Sequence, residues 1–292
     1  MLRVAAPAKI NLYLHVGGKR PDGYHALESL VCFAEAGDVL EFAPSDNLTL
    51  AIQGPFAAGL SAGSDNLILR AASVLAQAAG HEAGAAAITL TKNLPLASGI
   101  GGGSADAAAA LRGLVKLWNV AIDEAALHEI ALSLGSDVPV CVKSVPALMT
   151  GRGEGLRAVG ALPSTPMLLV NPGVGVSTGE VFRRLARDET DTLPATPPLP
   201  AAMSAEALLA SLASTRNDME GPALAIAPVI ADVLQALKNS GALLARMSGS
   251  GATCFALYES EAAAATATQA LSTLHPQWWV QPTRIARPDA VA

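Results

Sequence analysis

Hydrophobic and polar residues alternate along the start of the chain. Between residues 3 and 16 the even-numbered positions are apolar, whereas the odd-numbered positions include Arg3, Lys9 and Asn11. A period of two over this length predicts a strand with one buried face and one polar face. Lys9 and Asn11 then project to the same side of that strand. Glycine, proline and Asp-Gly cluster in residues 17–25, which predicts a turn or loop directly after it.

Further along the chain, strand and helix patterns follow one another without a regular period. Strands are predicted within residues 28–54 and 85–96, and a helix capped by Ser64 or Asp65 lies between them. Two more helices are predicted, over residues 104–119 and from Asp123 to Gly135. The second half contains further helices and a predicted hairpin around residues 243–258. An irregular mixture of this kind favours an α+β fold over a doubly wound sheet.

The chain is long enough for two lobes, and its composition fits a large core. It has 292 residues, of which 51% are hydrophobic and 15% are charged. Glycine and proline become frequent around residues 145–165, which we interpret as the boundary between lobes. We therefore expect an N-terminal domain over residues 1–155 and a C-terminal domain over residues 156–292.

Charge and cysteine content exclude several classes of protein. The net charge of −6 gives no electrostatic reason to expect nucleic acid or an anionic membrane as a partner. The three cysteines are far apart and form no C-x-x-C pair, which argues against a disulfide framework or a zinc site. The first residues show no signal-peptide pattern, and no uninterrupted apolar run is long enough to span a bilayer. We expect a cytoplasmic protein whose oligomeric state the sequence leaves open.

A glycine-rich turn is the most informative segment of the chain. Gly99, Gly101, Gly102 and Gly103 lie between a predicted strand and a predicted helix. Glycines allow positive φ and leave the backbone N–H groups accessible, and a helix N-terminus favours phosphate. Ser104 then either caps the helix or places its hydroxyl on a phosphate or on Mg²⁺. The segment is neither a Walker A loop nor a dinucleotide-binding fingerprint, so we interpret it as a different phosphate-binding loop.

Five segments together resemble the GHMP kinase family, which includes galacto-, homoserine, mevalonate and phosphomevalonate kinases. The sequences are PAKINL from Pro7, RPDGYH from Arg20, GIGGGS from Gly99, GSDVP from Gly135 and SGSGAT from Ser248. They match most specifically the branch that phosphorylates a cytidine-linked methylerythritol in the non-mevalonate route to isoprenoid precursors. One departure is visible, because Ala105 stands where that branch usually has a second serine.

This resemblance implies a two-lobed kinase with its active site in the cleft between the lobes. It implies ATP as co-substrate and Mg²⁺ as the counter-ion of ATP. The remaining histidines have no shared spacing that suggests a metal site held by the protein itself. The implied ATP-binding residues are Pro95, Leu96, Ala97, Ser98, Gly99, Ile100, Gly101, Gly102, Gly103, Ser104 and Ala105.

The resemblance also implies the residues of phosphoryl transfer, Lys9 and Asp137. Asp137 is expected to accept the proton of the substrate hydroxyl, and Lys9 to orient its carboxylate or to donate to the transferring phosphate. Asp137 follows Gly135 in sequence, so we expect it at the negative end of a helix dipole, where the anion is mildly destabilised. Whether Asp137 acts as a base or as a positioning group stays open.

The remaining implied residues bind the acceptor. Tyr24 and His25 are expected at the cytosine, because a tyrosine ring stacks on a base and histidine forms hydrogen bonds to its edge. Phe182 is expected on the other face of the base, and Asn11 beside the acceptor. The glycines of residues 248–251 either form a hairpin turn or line the phosphate path.

Two other functions compete with this interpretation. Another GHMP kinase, such as a homoserine or mevalonate kinase, would share the phosphate loop but would not need RPDGYH. A catalytically silent binding protein would not need both Lys9 and Asp137, and the sequence contains both.

Overall fold

A long central strand organises the first half of the molecule. A computed structural model describes residues 1–80, 85–185, 187, 191–197, 199 and 203–287 of the chain. In these residues the strand His25–Ala43 pairs antiparallel with four others, and a fifth and sixth complete a seven-stranded sheet. The strands are β1 (Leu2–Asn11), β2 (His15–Lys19), β3 (His25–Ala43), β4 (Leu48–Gln53), β5 (Ala86–Thr91), β6 (Ala147–Gly151) and β7 (Gly155–Ala158).

The first predicted strand is interrupted, and its two faces are not as expected. Its pairing with β3 shifts register between Pro7 and Lys9, and the strand ends at Asn11. A bulge of this kind turns the following residues to the other face. Val4 therefore packs in the core beside the helices, whereas Ile10 packs in the core shared with the second sheet. Lys9 and Asn11, which the alternation places on the polar face, are both buried.

Four helices pack beside the first sheet. They are α1 (Leu67–Ala78), α2 (Gly102–Leu117), α3 (Glu124–Leu134) and α4 (Val138–Lys143). The predicted N-cap of α1 is wrong, because Asn66 caps it by accepting from the Ile68 N–H at 2.9 Å. Asp65 accepts from the Ser61 hydroxyl instead. Helix α3 begins after Asp123, whose side chain caps it, and ends before Gly135 as predicted.

The second half contains an antiparallel sheet with its own helices. Its strands are ordered β11-β8-β10-β9. The strands are β8 (Pro166–Asn171), β9 (Leu244–Met247), β10 (Cys254–Leu257) and β11 (Trp279–Arg284). The helices are α5 (Thr178–Arg184), α6 (Ala205–Ala213), α7 (Glu220–Ile226), α8 (Val229–Asn239) and α9 (Glu261–Leu274). The predicted hairpin is confirmed as β9 and β10, and the α+β class is confirmed by the mixture of sheets and helices.

A shared core joins the two halves. Ala8, Ile10 and Tyr13 of the first half cluster with Leu169 and Phe255 of the second. The first sheet ends at Ala158 and the second begins at Pro166. The division into domains over residues 1–155 and 156–292 stays a prediction. Among the helices of the described ranges, none combines the length and apolar character that a transmembrane span requires.

Candidate active site

A cavity of about 1140 Å³ lies where the two halves meet. One part of its lining is the glycine-rich turn together with Leu67 and Lys92. Another part, the aromatic end, consists of Tyr24, His25 and Phe182. Lys9, Asn11 and Asp137 also line it. The cavity thus collects the residues predicted for acceptor binding and phosphoryl transfer and most of the predicted ATP-binding segment. Ile100 and Ala105 of that segment do not line it, because they are buried in the hydrophobic cores.

The glycine-rich turn connects β5 to α2. Its backbone has positive φ at Ala97, Gly99 and Gly101, with φ of 47°, 76° and 64°. Gly101 is the N-cap, and the helix begins at Gly102. The N–H groups of the first helical turn have no partner within the helix, so they are available to an anion in the cavity. Ser104 lies inside the first turn of α2, so the alternative in which Ser104 caps the helix is wrong.

A second glycine-rich loop supports the first one from the other half of the molecule. Residues 248–251 connect β9 to β10, and the Ser248 hydroxyl donates to the Gly99 carbonyl at 3.1 Å. The same hydroxyl accepts from the Asn11 N–H at 3.1 Å. A Cβ atom on Gly99 would lie 2.4 Å from the Ser248 carbonyl oxygen, so the two backbones approach closely only because this residue is glycine. The hairpin alternative for this segment is confirmed, and Gly249 and Ser250 line the cavity. That they line the phosphate path stays a prediction.

Lys9 is the centre of a polar network at the middle of the cavity. Its Nζ lies 2.9 Å from Asp137 Oδ2 and donates to Asn11 Oδ1 at 2.9 Å. The Asn11 amide donates in turn to the Ser29 hydroxyl at 2.8 Å. Lys9 is 4% exposed, whereas the Asp137 side chain is 36% exposed towards the cavity. The ammonium therefore holds one side of a carboxylate whose other side is accessible.

The expected helix environment of Asp137 is wrong. Helix α3 does end at Leu134, but Asp137 immediately precedes α4 and occupies its N-cap position without a side-chain capping bond. The carboxylate therefore lies at the positive end of a helix dipole, which favours the anion. A second short helix was not predicted here, although proline is tolerated in a first helical turn.

At the aromatic end, Phe182 stacks on His25. The ring centroids are 5.6 Å apart and the planes differ by 12°. Tyr24 is 53% exposed, and the Arg152 guanidinium lies over its ring, 5.2 Å from the ring centroid. The structure brings all three predicted residues to one end of the cavity, but the ring stacked on Phe182 is that of His25. The His25 Nδ1 contacts the Gly17 carbonyl at 3.2 Å, which assigns the proton to Nδ1 and leaves Nε2 as an acceptor.

Three cations beside the aromatic end were not predicted. Lys19, Arg152 and Arg183 line the cavity, and none of them forms an ion pair with a carboxylate of the described residues. Their sequence neighbours differ, since Arg20 pairs with Asp22 and Arg184 pairs with Glu180. Three unpaired positive charges favour an anionic ligand at this end. Sequence offered a weak signal, because Arg183 directly follows Phe182 and Lys19 directly precedes the RPDGYH segment.

A buried ion cluster beneath the phosphate loop was also missed. The Lys92 ammonium lies 2.5 Å from Asp38 Oδ2 and 2.6 Å from Asp106 Oδ2. Asp38 is further fixed by accepting from the N–H groups of Asn93 and Leu94 at 2.6 and 2.9 Å. Asp106 Oδ1 is buried without a partner among the described residues, and burial raises the pKa of Asp106 to about 7. The cluster ties α2 to β3 and to the end of β5.

Within the described part of the chain, His, Cys, Asp and Glu side chains form no cluster of three suited to a metal ion. Cys32, Cys141 and Cys254 are buried and unpaired, and burial raises the pKa of the Cys141 thiol to about 12. None of these thiols lines the cavity.

Comparison with known proteins identifies a family for both halves of the chain. Residues 66–144 match the GHMP kinases N terminal domain, and residues 201–277 match the GHMP kinases C terminal domain. A 4-diphosphocytidyl-2-C-methyl-D-erythritol kinase of Ruegeria pomeroyi is 53% identical over 94% of this chain and 95% of its own. The kinase of the same name from Paramagnetospirillum magneticum is 50% identical over 97% of this chain and 98% of its own.

Solved structures agree in fold. The crystal structure of a 4-(cytidine 5'-diphospho)-2C-methyl-D-erythritol kinase superposes with a TM-score of 0.79 at 35% identity, covering 97% of this chain and 99% of that one. A homoserine kinase from Cytophaga hutchinsonii superposes with a TM-score of 0.66 at 18% identity, over 97% of this chain and 95% of that one. The latter similarity concerns the fold alone.

Proposed function

Because this chain belongs to the GHMP kinases, and among them to the 4-diphosphocytidyl-2-C-methyl-D-erythritol kinases, we propose that it phosphorylates the 2-hydroxyl of 4-(cytidine 5'-diphospho)-2-C-methyl-D-erythritol. The chain is an ATP-dependent kinase that acts on a small molecule in isoprenoid precursor synthesis. The observation that carries the proposal is one cavity in which the Lys9–Asp137 pair lies with the phosphate loop and Tyr24, His25 and Phe182.

The phosphates of ATP bind at residues 95–105 in this proposal. The first-turn N–H groups of α2 and the positive end of its dipole stabilise the negative charge of the phosphates. Mg²⁺ enters with ATP as its counter-ion, and the Ser104 hydroxyl is the side-chain oxygen that the helix turn offers to it. Ala105 in place of a second serine removes one hydroxyl but no backbone N–H group, so the backbone part of the site is complete.

Phosphoryl transfer depends on placing the acceptor hydroxyl in line with the γ-phosphate and on stabilising the charge that develops. Asp137 accepts the hydroxyl proton through the carboxylate oxygen that faces the cavity. Lys9, held by Asp137 and Asn11 at 2.9 Å each, keeps that carboxylate oriented. With its third N–H, the same ammonium is available to an oxygen of the transferring phosphate. The reaction transfers one phosphoryl group and one proton, and it needs no covalent enzyme intermediate.

The cytosine binds at the end of the cavity that contains Tyr24, His25 and Phe182. A base stacked between two rings needs about 3.5 Å on each side, and the 5.6 Å between the His25 and Phe182 rings is too short for that. We propose that the base takes the place against Phe182 that His25 occupies here, with Tyr24 closing over its other face. The His25 Nε2 atom then accepts from the exocyclic amine of the base.

Two alternative functions make different demands on the cavity. A homoserine or mevalonate kinase has no use for an aromatic end that fits a base, although it shares the fold. A silent binding protein does not require a buried lysine 2.9 Å from an accessible carboxylate. The three free cysteines and the composition support a proposed cytoplasmic location.

A coupled assay of ADP release tests the proposal directly. The purified protein is incubated with MgATP and with the cytidine-linked methylerythritol, homoserine or mevalonate in parallel. We expect ADP release with the cytidine-linked acceptor and negligible release with the other two. Comparable kcat/KM on mevalonate or homoserine would refute the substrate assignment, and no release with any acceptor would favour a silent binding protein.

A further inference from the structure

One arginine connects the three elements that build the catalytic centre. Arg112 lies in α2, the helix that begins at the phosphate loop. Its Nη1 donates to the carbonyls of Cys141 and Val142 at 2.7 and 3.2 Å, near the end of α4. Its Nη2 donates to the carbonyl of Ala5 in β1. The same side chain thus contacts the helix that follows Asp137 and the strand that contains Lys9.

Helix α4 is short, and both of its ends therefore matter for Asp137. It has six residues, with Asp137 at its N-cap position and Ser144 at its C-cap position. At about 1.5 Å of rise per residue, the helix places Asp137 roughly 9 Å from the end that Arg112 contacts. The last carbonyls of a helix have no partner within it, and a guanidinium there satisfies them and complements the helix dipole. Arg112 thus fixes α4 from the end opposite Asp137.

The environment of Arg112 is unusual for a structural cation. It contacts carbonyl oxygens and the Ser144 hydroxyl, at 3.2 Å, but no carboxylate among the described residues. Its buried Nε–H has no acceptor among the described residues. The guanidinium therefore donates to the carbonyls while one of its own N–H groups stays without a hydrogen bond. Burial lowers the pKa of Arg112. A buried charge without a carboxylate partner adds little net stability, but its hydrogen bonds fix the relative positions of the groups that it contacts.

We propose that Arg112 is a positioning residue for phosphoryl transfer, which sets the distance between Lys9 and Asp137 by fastening the far end of α4 to β1. This inference rests on the proposed roles of Lys9 and Asp137. The guanidinium of Arg112 positions the Lys9–Asp137 pair from outside the cavity, because Arg112 does not line the cavity. Arg112 acts on the chemistry through α4 and β1, and it does not touch either substrate.

A double-mutant cycle tests the inference. Arg112→Gln is expected to lower kcat about 10-fold, with the KM of each substrate changed less than about threefold, because the cavity ends keep their own residues. In an Asp137→Asn background the same substitution is expected to lower kcat less than about twofold, because there is no longer a carboxylate to position. Arg112→Lys keeps a cation near the carbonyls and is expected to restore part of the activity. It is also the variant to use if Arg112→Gln does not fold.

Arg246 offers a matched control. It too donates to carbonyls and a hydroxyl in the interior, those of Leu12, Leu212 and Thr215, and burial lowers its pKa to about 10. Any activity lost by Arg246→Gln is expected to combine multiplicatively with the loss from Asp137→Asn. Folded fraction is measured for every variant by thermal unfolding. The inference is overturned if Arg112→Gln also combines multiplicatively with Asp137→Asn, or if its kcat is unchanged. If Asp137→Asn itself leaves kcat unchanged, the proposed catalytic roles fail instead.

Discussion

The Asp137 carboxylate forms an ion pair with the Lys9 ammonium at 2.9 Å on one side and is open to the cavity on the other. The strand that carries Lys9 and the helix turn that carries Asp137 are far apart in sequence, and α2 lies beside both. Asn11 holds the lysine from a second direction at 2.9 Å. The three side chains therefore form a fixed unit around one accessible carboxylate oxygen.

Because Lys9 and Asp137 form one unit, their removal should not be additive. Asp137→Asn keeps the shape but loses the proton acceptor, and kcat is expected to fall about 10²-fold or more with little change in ATP affinity. Lys9→Ala is expected to be nearly inactive. The double variant should be little worse than the worse single variant. The measurements are kcat from ADP release and ATP affinity by calorimetry.

Two outcomes would contradict this prediction in different ways. If Asp137→Asn keeps kcat within a factor of a few, the substrate hydroxyl loses its proton to phosphate or water, and Asp137 only positions the acceptor. If the two losses multiply, Lys9 acts on the γ-phosphate independently of Asp137.

The phosphate loop makes a prediction about backbone conformation. Gly101 has φ of 64°, and a Cβ atom there would lie 3.2 Å from both Cβ and Cε of Lys9. A β-branched side chain resists this conformation and obstructs the space above the loop. Gly101→Val is therefore expected to lower ATP affinity at least 10-fold, and kcat as well, because Lys9 is displaced.

Gly241 provides the control for backbone strain alone. Its φ is 83° and a Cβ atom there meets nothing within 4 Å, away from the cavity lining. Gly241→Val is expected to lower thermal stability while leaving ATP affinity within about twofold. Equal ATP affinity for Gly101→Val and the unsubstituted protein, measured by calorimetry on folded samples, would show that this loop does not wrap the phosphates.

Local sequence motifs predicted those parts of the site whose residues are close together in the sequence. The glycine-rich turn between β5 and α2 is one contiguous segment, so its position at a helix N-terminus could be predicted from its own composition. The bulge between Pro7 and Lys9 depends on pairing with β3, and alternation along the strand gives no sign of it. Asp38, Lys92 and Asp106 meet only in three dimensions, since no helical or strand spacing relates them. Arg112 similarly lies on a predicted helix, but its acceptors belong to α4 and β1.

The cluster beneath the phosphate loop predicts a pH dependence of stability. Burial raises the pKa of Asp106 to about 7, above an unfolded value of about 3.9. The folded state therefore binds more protons than the unfolded state between about pH 4 and 7. By linkage, the contribution of Asp106 to the free energy of unfolding is present at low pH and falls as pH rises through this window. The slope is at most about 1.4 kcal/mol per pH unit, and coupling to Lys92 and Asp38 reduces it.

Asp106→Asn tests this contribution, because it removes the titrating group with little change in shape. Urea unfolding at pH 5, 6, 7 and 8 is expected to show that the difference in stability between this variant and the unsubstituted protein shifts in favour of the variant as pH rises. A difference that is constant with pH would mean that Asp106 does not titrate in this range. A constant difference is also the result expected if the Lys92 ammonium keeps Asp106 ionised throughout.

The unpaired cations predict which part of the acceptor they bind. Arg183 and Arg184 are neighbours in α5, but Arg183 lines the cavity and pairs with no carboxylate of the described residues, whereas Arg184 pairs with Glu180 at 2.9 Å. If the acceptor is linked to cytidine through a diphosphate, Arg183→Gln should weaken binding of cytidine 5'-diphosphate several-fold and leave cytidine unchanged. Arg184→Gln should change neither.

Calorimetric titrations at two salt concentrations measure these affinities, and the effect of Arg183→Gln should shrink at the higher salt concentration because salt screens the lost attraction. Equal losses for cytidine and cytidine 5'-diphosphate would show that Arg183 supports the base-binding residue Phe182 next to it and does not contact the phosphates.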